Sequence, residues 1–313
     1  MAQERIRILF KPPGTTKQYE TAIWIYGDLH TKKIPLIVIH GGPGCPSSYL
    51  NPLAQLHQSH GIPIILYDQV GCGESTRLPE TKGYASFWTI ELFLAELRNL
   101  LAHLNLPGYD LLGQSWGGML AGEFALTQPK GLRKLIIYSS PASFPLRMEA
   151  GLRYREALPA PMRHVLVKGD TDESVKATKE WHDAMMHYTR THMCRVYPWP
   201  APMQQAIDAL NEDDTVSGTM YPGLPFAWEK TKLVGWDITP RLPEITKTTV
   251  PGGILVINGR YDTVDDASTE AWSTEPKARV KWVKFEESSH MAHFEEPEKF
   301  FAEVAGFLED GSA

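Results

Sequence analysis

The chain has 313 residues, of which 42% are hydrophobic and 22% charged, and its formal net charge is −6 at pH 7. This balance is typical of a globular protein. It excludes the basic surface expected of a protein that binds nucleic acid or an anionic membrane. The polar segment 1–5 predicts no secretory signal, and no apolar run is long enough to span a bilayer. Three scattered cysteines, Cys45, Cys72 and Cys194, favour a reducing compartment, so we expect a cytoplasmic protein without disulfides.

The first 140 residues alternate short apolar runs with helical segments. Five apolar runs predict β-strands, and they lie at 21–27, 35–40, 63–68, 109–112 and 134–138. Leucines at helical spacing predict a helix over 88–104, and a run rich in small residues predicts another over 118–126. Continuous apolar strands that alternate with helices indicate a mostly parallel sheet covered on both faces.

Residues 141–241 break this alternation. They are rich in Met, Trp, His and Arg, and they predict helices and loops without strands, including a helix over 177–192. Strand patterns resume at 253–258 and 280–285. A last helix is predicted over 297–308, where a proline stands near the first helical position.

The order of these elements predicts an α/β protein. We expect one α/β core, formed by residues 1–140 and 242–313, in which helices flank a mostly parallel central sheet. We expect residues 141–241 to form a helical cap, or lid, inserted into that core.

Residues 113–117, Gly-Gln-Ser-Trp-Gly, form a G-x-S-x-G pentapeptide between a predicted strand and a predicted helix. A strand, a sharp turn and a helix with serine at the apex make a nucleophile elbow. Side chains at Gly113 or Gly117 would clash with the neighbouring strand or helix, so glycine is required there. The pattern therefore predicts Ser115 as a catalytic nucleophile.

A serine nucleophile needs a general base, which in turn needs an orienting carboxylate. In this architecture the chain order is serine, acid, histidine. Asp262 follows the 253–258 strand and is the predicted acid, while Asp265 and Asp266 are competitors that we interpret as loop or helix-capping carboxylates. His290 lies nearest the end of the last strand and is favoured as the base over His293.

The loop His40-Gly41-Gly42-Pro43-Gly44 follows a predicted strand and is made mainly of small residues. Small residues allow a backbone N–H to approach a tetrahedral oxyanion closely. We predict the N–H of Gly42 as the first oxyanion donor, with Gly41 as the alternative, and the N–H of Trp116 as the second donor. The loop lacks phosphate-binding spacing, and neither a cofactor motif nor a metal-ligand cluster is expected, so we predict no cofactor and no metal.

Five motifs together resemble the prolyl aminopeptidase (proline iminopeptidase) family of α/β-hydrolases. They are His40-Gly-Gly-Pro-Gly44, residues 68–75 (Asp-Gln-Val-Gly-Cys-Gly-Glu-Ser), Gly113-Gln-Ser-Trp-Gly-Gly118, Gly259-Arg-Tyr-Asp262 and Ser289-His290. The segment 235–239 is similar to the cap-to-core return of the tricorn-interacting aminopeptidase branch.

The resemblance implies an α/β-hydrolase fold with Ser115, Asp262 and His290 as a triad and with Gly42 and Trp116 as the oxyanion hole. It also implies hydrolysis of an N-terminal residue, often proline, from small peptides, or hydrolysis of amino-acid amides.

An exopeptidase must meet the free α-ammonium of its substrate with carboxylates, and this family places acidic residues of the cap there. The family pattern favours Asp183 and Asp213, with Glu180 and Glu212 beside them, although all four also fit solvated helix faces. The two aspartates stand where the family has glutamate. The segment around Trp228 adds aromatic residues, which suit a pocket larger than one that fits proline.

Two other functions remain open from the sequence. The same machinery serves a carboxylesterase or lactonase acting on a small-molecule ester, including one in secondary metabolism. A non-catalytic α/β-hydrolase-like binding protein is the alternative of another class. The expected partner is a small peptide, amino-acid amide or ester, with no nucleic acid and no membrane, and the oligomeric state is left open.

Overall fold

The computed structural model describes residues 4–222, 226 and 231–311. Within these residues, eight strands form one sheet in the order β1-β2-β4-β3-β5-β6-β7-β8. The strands are Glu4–Phe10 (β1), Tyr19–Tyr26 (β2), Leu36–Ile39 (β3), Ile64–Tyr67 (β4), Tyr109–Gln114 (β5), Leu132–Tyr138 (β6), Ile254–Gly259 (β7) and Val280–Phe285 (β8).

The described α-helices surround this sheet or lie between β6 and β7. They are Gln55–His60 (α1), Ile90–Leu104 (α2), Trp116–Leu126 (α3), Phe144–Glu156 (α4), Ala160–Gly169 (α5), Lys179–His192 (α6), Ala201–Glu212 (α7), Thr215–Met220 (α8), Asp266–Thr269 (α9), Ala271–Thr274 (α10), Ala292–Glu295 (α11) and Pro297–Glu309 (α12). Short 3-10 helices cover Ser47–Ala54, Pro79–Thr81, Glu173–Ala177 and Thr239–Glu244.

Six of the eight described strands run parallel, from β4 through β3, β5, β6 and β7 to β8. The first two strands are antiparallel, because β1 pairs with β2 and β2 pairs with β4 in opposite directions. The predicted mostly parallel sheet flanked by helices is therefore confirmed. Every residue of β3, β4, β5 and β7 is buried, which explains their continuous apolar runs.

The strand β1 is the described strand that the sequence analysis missed. Its charged residues Arg5 and Arg7 alternate with Ile6 and Ile8, and burial alternates along its second half. An edge strand with one solvated face carries a weaker apolar signal than a central strand. The antiparallel register with β2 pairs Ile6 with Ile23 and Ile8 with Thr21.

The helices between β6 and β7 have an apolar cluster of their own. Leu158, Leu166 and Tyr188 are buried in it with Ala184 and Phe226. Among the described residues of 141–241 there is no strand, as predicted, and only an isolated bridge joins Ser143 to Asp237.

The inserted helices lie against the loops at the C-terminal edge of the sheet. A Cβ atom added to Gly44 would lie 2.8 Å from Cβ of Val216 in α8, and one added to Gly71 would lie 2.5 Å from Cγ2 of the same valine. Glycine at these two positions therefore allows α8 to pack directly on the loops that follow β3 and β4. No helix in the described part of the chain is long and apolar enough to cross a membrane.

Candidate active site

Ser115 stands at the turn between β5 and α3 with φ 56° and ψ −121°, a conformation that non-glycine residues rarely adopt. Its N–H donates to the carbonyl of Tyr138 at 2.9 Å. A Cβ atom at Gly113 would overlap the carbonyl of Gly117, and one at Gly117 would overlap the carbonyl of Ile39. The two glycines thus permit the tight strand–turn–helix packing that holds the serine in this strained position.

Asp262 and His290 form a buried pair on the loops that follow β7 and β8. Nδ1 of His290 lies 2.7 Å from Oδ1 of Asp262, and the two side chains are 3% and 0% exposed. The N–H of Val264 donates to the same Oδ1 at 2.8 Å. Because Nδ1 carries the proton given to a carboxylate, Nε2 is left with the lone pair that a general base needs.

The serine and the histidine come from neighbouring parts of this edge. Gln114 precedes Ser115, and its Nε2 donates to the carbonyl of His290 at 3.4 Å. Within the described residues, Ser115 Oγ makes no hydrogen bond with His290. In unliganded enzymes this contact often tightens only when substrate binds.

The two competing aspartates have other partners. Asp265 caps α9, where its Oδ1 accepts from the N–H of Ser268 at 3.0 Å. Asp266 contacts Nζ of Lys284 and accepts from Nδ2 of Asn258 at 2.9 Å. Neither carboxylate is hydrogen-bonded to His290, so Asp262 is the one that meets this imidazole.

His293, the competing histidine, uses both ring nitrogens within the core. Tyr138 Oη lies 2.8 Å from Nδ1, and the carbonyl of Tyr49 lies 2.9 Å from Nε2. A carbonyl only accepts, so Nε2 donates and Nδ1 accepts from the tyrosine. Burial lowers the pKa of His293 to about 4, which keeps the ring neutral.

The residues predicted for the oxyanion hole differ in whether their backbone N–H groups already have a partner inside the protein. The N–H of Gly41 already donates to Tyr49 Oη at 2.7 Å, so this alternative donor is engaged inside the protein. Gly42 has φ 115°, and a Cβ there would lie 2.6 Å from the backbone nitrogens of Gly44 and Cys45. Trp116 is the first residue of α3, a position whose N–H has no partner within the helix.

Gln69 is a residue of this region that sequence reasoning did not single out. Its backbone N–H donates to Nε2 of His40 at 2.9 Å, and its Nε2 donates to the carbonyl of His40 at 3.0 Å. Its Oε1 accepts from the indole N–H of Trp116 at 2.9 Å. One side chain therefore ties the Gly41–Gly42 loop to the residue after the nucleophile. The placement of Gln69 two residues after the end of β4 is the sequence signal that identifies it.

His40 has a structural role in this loop. Its Nε2 accepts from Gln69, and its Nδ1 donates to the carbonyl of Gly41 at 3.0 Å. Burial lowers the pKa of His40. Cys72 Sγ lies 3.6 Å from Nε2 of His40, a contact that the sequence analysis did not foresee. Burial raises the pKa of the Cys72 thiol, so this histidine does not activate it.

Glu295 in α11 holds the two neighbours of His290. Its carboxylate accepts from the N–H of Ser289 at 2.7 Å, from Oγ of Ser289 at 2.6 Å and from the N–H of Met291 at 3.3 Å. It also accepts from the N–H of Arg195, which follows α6, at 2.6 Å. Sequence reasoning missed this residue too. Its position five residues after the histidine, at the end of a one-turn helix, is the available signal.

A small cavity of about 30 Å³ lies beside Ser115. Residues from the core and from the inserted helices line it together. They are Gly42, Pro43, Ser115, Trp116, Met119, Pro141, Phe144, Arg147, Tyr221, Leu233 and Val264. The serine and both favoured oxyanion residues thus face the same space.

The predicted amine-binding carboxylates lie elsewhere. Asp183 is exposed and pairs with Nζ of Lys179 at 2.5 Å, and Glu180 is also exposed. Glu212 is exposed and lies 3.4 Å from Arg77, while Asp213 accepts from the N–H of Thr215 at 3.0 Å.

The lining of the cavity beside Ser115 includes none of the four predicted carboxylates, Asp183, Glu180, Glu212 and Asp213. The structure does not bring these carboxylates to this cavity, and their role at the amine stays a prediction. The physical reason is that α6 and α7 turn these carboxylates toward solvent or local partners. Trp228, the remaining predicted pocket residue, lies outside the described residues.

The sheet order, the nucleophile elbow and the Asp–His pair define an α/β hydrolase. In agreement, the family profile of the α/β hydrolase fold matches residues 34–297. The proline iminopeptidase of Heyndrickxia coagulans is 32% identical over 88% of this chain and 90% of its own length. That of Saccharolobus solfataricus is 31% identical over 88% of this chain and 84% of its own length. The chain belongs to the proline iminopeptidase family of α/β hydrolases.

Two solved structures are similar over almost the whole chain. VinJ is 34% identical with a TM-score of 0.89, and the match covers 99% of each chain. The proline iminopeptidase of Mycobacterium smegmatis is 34% identical with a TM-score of 0.85, covering 97% of each chain.

Proposed function

We propose that this protein is a serine hydrolase that removes the N-terminal residue from small peptides or hydrolyses amino-acid amides. The observation that carries the proposal is the buried Asp262–His290 pair, 2.7 Å between Oδ1 and Nδ1, on the same sheet edge as the strained Ser115. The names of the relatives, which are proline iminopeptidases, supply the aminopeptidase class and its peptide substrates.

In this proposal Ser115 Oγ attacks the carbonyl carbon of the substrate while Nε2 of His290 takes its proton. Asp262 orients the imidazole and stabilises its charged form. The backbone N–H groups of Gly42 and Trp116 stabilise the oxyanion of the tetrahedral intermediate. His290 then protonates the leaving amine, and a water molecule attacks the acyl-enzyme to release the N-terminal amino acid and regenerate the serine.

We also propose that residues 141–241 act as a cap on a core formed by 1–140 and 242–313. The packing of Val216 on Gly44 and Gly71 supports this proposal, as does the contribution of Phe144 and Tyr221 to the cavity beside the serine. Such a cap would control access of longer peptides. We place the protein in the cytoplasm, and its three free cysteines support that location.

An esterase is the second candidate function. It is favoured by one observation: among the described residues that line the cavity beside Ser115, none is acidic. An aminopeptidase meets the α-ammonium of its substrate with negative charge, whereas an esterase has no such requirement.

The test is turnover of prolyl, alanyl and phenylalanyl arylamides, each with a free and an N-acetylated amine, beside a p-nitrophenyl ester. An aminopeptidase hydrolyses only the free-amine arylamides at a substantial rate. Ester hydrolysis combined with indifference to the α-amine would replace the aminopeptidase by the esterase. Ser115→Ala is the matched control, because any turnover that it retains does not come from this site.

A further inference from the structure

Arg147 is a buried cation on the wall of the cavity that contains Ser115. Its side chain lies on α4 and the residue is 5% exposed. Two other arginines of the same helix have carboxylate partners, since Arg153 pairs with Asp265 and Arg155 pairs with Asp170. Across the described part of the chain, no ion pair joins Arg147 to a carboxylate. Among the described residues, the most buried arginine of this helix is therefore the one without a counter-ion.

Neutral groups hold the guanidinium of Arg147 in place. Nη2 donates to Oγ1 of Thr263 at 3.1 Å, and Nη1 lies 3.8 Å from Sδ of Met148. Thr263 is itself fixed by Tyr188, whose Oη lies 2.9 Å from the same Oγ1. The guanidinium carbon lies 5.9 Å from the centre of the Tyr221 ring. A guanidinium has five N–H donors, so most of them have no partner among the described residues.

Asp262, which precedes Thr263, is the candidate counter-ion next to this partner in the chain. Its Oδ1 is bound by Nδ1 of His290 and by the N–H of Val264, while its Oδ2 is buried without a hydrogen-bond partner among the described residues. No contact within ion-pair distance joins Asp262 to Arg147. The other side chains on the wall are mainly apolar, including Phe144 and Leu233. A buried charge is strongly unfavourable unless an opposite charge meets it, so the wall favours an anionic group.

We propose that Arg147 binds a carboxylate of the substrate. The planar fork of a guanidinium matches a carboxylate in a bidentate arrangement. The inference rests on the proposed function, because Ser115 acts in the same cavity and the carboxylate then lies close to the bond that is cleaved. Two sources fit this chemistry: the C-terminal carboxylate of a dipeptide and the side chain of an N-terminal aspartate or glutamate.

Two substrate pairs that differ only in charge separate these sources. The first pair is alanyl-alanine and its C-terminal amide, and the second is the aspartyl and asparaginyl arylamides. We expect the carboxylate member of one pair to have a kcat/KM at least about tenfold higher, since an arginine–carboxylate contact is charge-assisted. A preference in the first pair identifies a dipeptide carboxylate, and a preference in the second identifies an acidic N-terminal residue.

The variant Arg147→Gln removes the charge and should remove this preference, mainly by raising KM for the carboxylate member. Arg147→Lys keeps the charge without the fork and should keep a smaller preference. The matched control is Arg153→Gln, on the exposed side of the same helix, which should leave the ratio within each pair unchanged. If Arg147→Gln does not fold, the wild-type ratios and the lysine variant still decide the question.

Equal kcat/KM values within both pairs for the wild-type protein would overturn the proposal. So would a fall in kcat for Arg147→Gln that is the same for both members of a pair, because that result indicates only support of Thr263 and its loop. Failure of the proposed function has a different signature, namely no turnover of any free-amine substrate. In that case calorimetry on Ser115→Ala decides the question. Tighter binding of the carboxylate member of a pair, which is lost when Arg147→Gln is added, supports the site. Equal binding of the two members, or no binding of either, refutes it.

Discussion

The indole N–H of Trp116 donates to Oε1 of Gln69 at 2.9 Å. This bond links the residue after the nucleophile to the loop after β4. The same Gln69 side chain donates to the carbonyl of His40. One side chain is therefore hydrogen-bonded to both segments that are proposed to form the oxyanion hole. The spacing between their N–H groups therefore depends on a residue that does not touch the substrate in our proposal.

Gln69→Ala should lower kcat by about tenfold and leave KM nearly unchanged. Removal of an oxyanion donor costs about 10²–10³-fold in kcat, and a displaced donor should cost less. The kinetics of a free-amine arylamide, together with the affinity for an aminoacyl boronate, measure the effect. Gln58→Ala, an exposed glutamine of α1, is the control. A rise in KM at constant kcat would assign Gln69 to substrate binding instead.

Ser115→Ala should abolish hydrolysis and leave the fold intact. The loss follows from removal of the nucleophile, whereas alanine has the same Cβ and leaves the packing unchanged. Turnover assays and circular dichroism check the two parts. Undiminished turnover would show that the elbow serine is not the nucleophile.

Asp262→Asn should reduce kcat by about 10⁴-fold, by analogy with other triads, because an amide stabilises the wrong imidazole tautomer. Asp266→Asn is the matched control, since that carboxylate pairs with Lys284 and Asn258 and should cost little activity. Single-turnover and steady-state rates measure both variants. A large loss in the control together with a mild one in Asp262→Asn would reverse the assignment of the acid.

Glu295→Gln should lower kcat by about tenfold with little change in KM. The amide group of glutamine would face N–H donors that now point at the carboxylate, so Ser289 and Met291 would lose their fixed positions beside His290. Steady-state kinetics detect the change, and Glu298→Gln on the exposed side of α12 is the control. Equal kinetics in wild type and Glu295→Gln would remove Glu295 from the positioning of the histidine.

His293 should make the protein less stable in acid. Burial lowers its pKa to about 4 in the folded state, whereas an unfolded histidine titrates near 6.5. The stabilising effect of the neutral ring is complete above about pH 6.5 and is lost as the pH falls through about 4, with a total on the order of 3 kcal/mol.

Urea unfolding at a series of pH values measures this effect. The free energy of unfolding of His293→Gln should depend less on pH between 7 and 4 than that of the wild type. His30→Gln, on the surface, should keep the wild-type slope. Parallel slopes for wild type and His293→Gln would mean that other groups govern the acid sensitivity.

Local patterns were sufficient to predict most of the fold. The strand predicted over 280–285 is observed as Val280–Phe285, and the others differ by a few residues at their ends. The helix predicted from 88 begins at Ile90 because Thr89 Oγ1 caps it by accepting from the N–H of Leu92 at 3.2 Å. Such capping is decided by one side-chain rotamer, which apolar periodicity does not report.

The sequence by itself determined the position of the nucleophile turn and of the carboxylate and imidazole after the last two strands. Parallel strands bring their C-terminal ends to one edge, so the chain order alone predicted that Ser115, Asp262 and His290 would gather there. The tertiary structure decided which N–H groups are already engaged, as Gly41 is by Tyr49, and which way the cap helices turn their charges. In the tertiary structure Asp183 faces solvent, and Arg147 is buried on the wall of the cavity that contains Ser115. The reason is that the rotation of a helix is set by packing against residues far away in the chain.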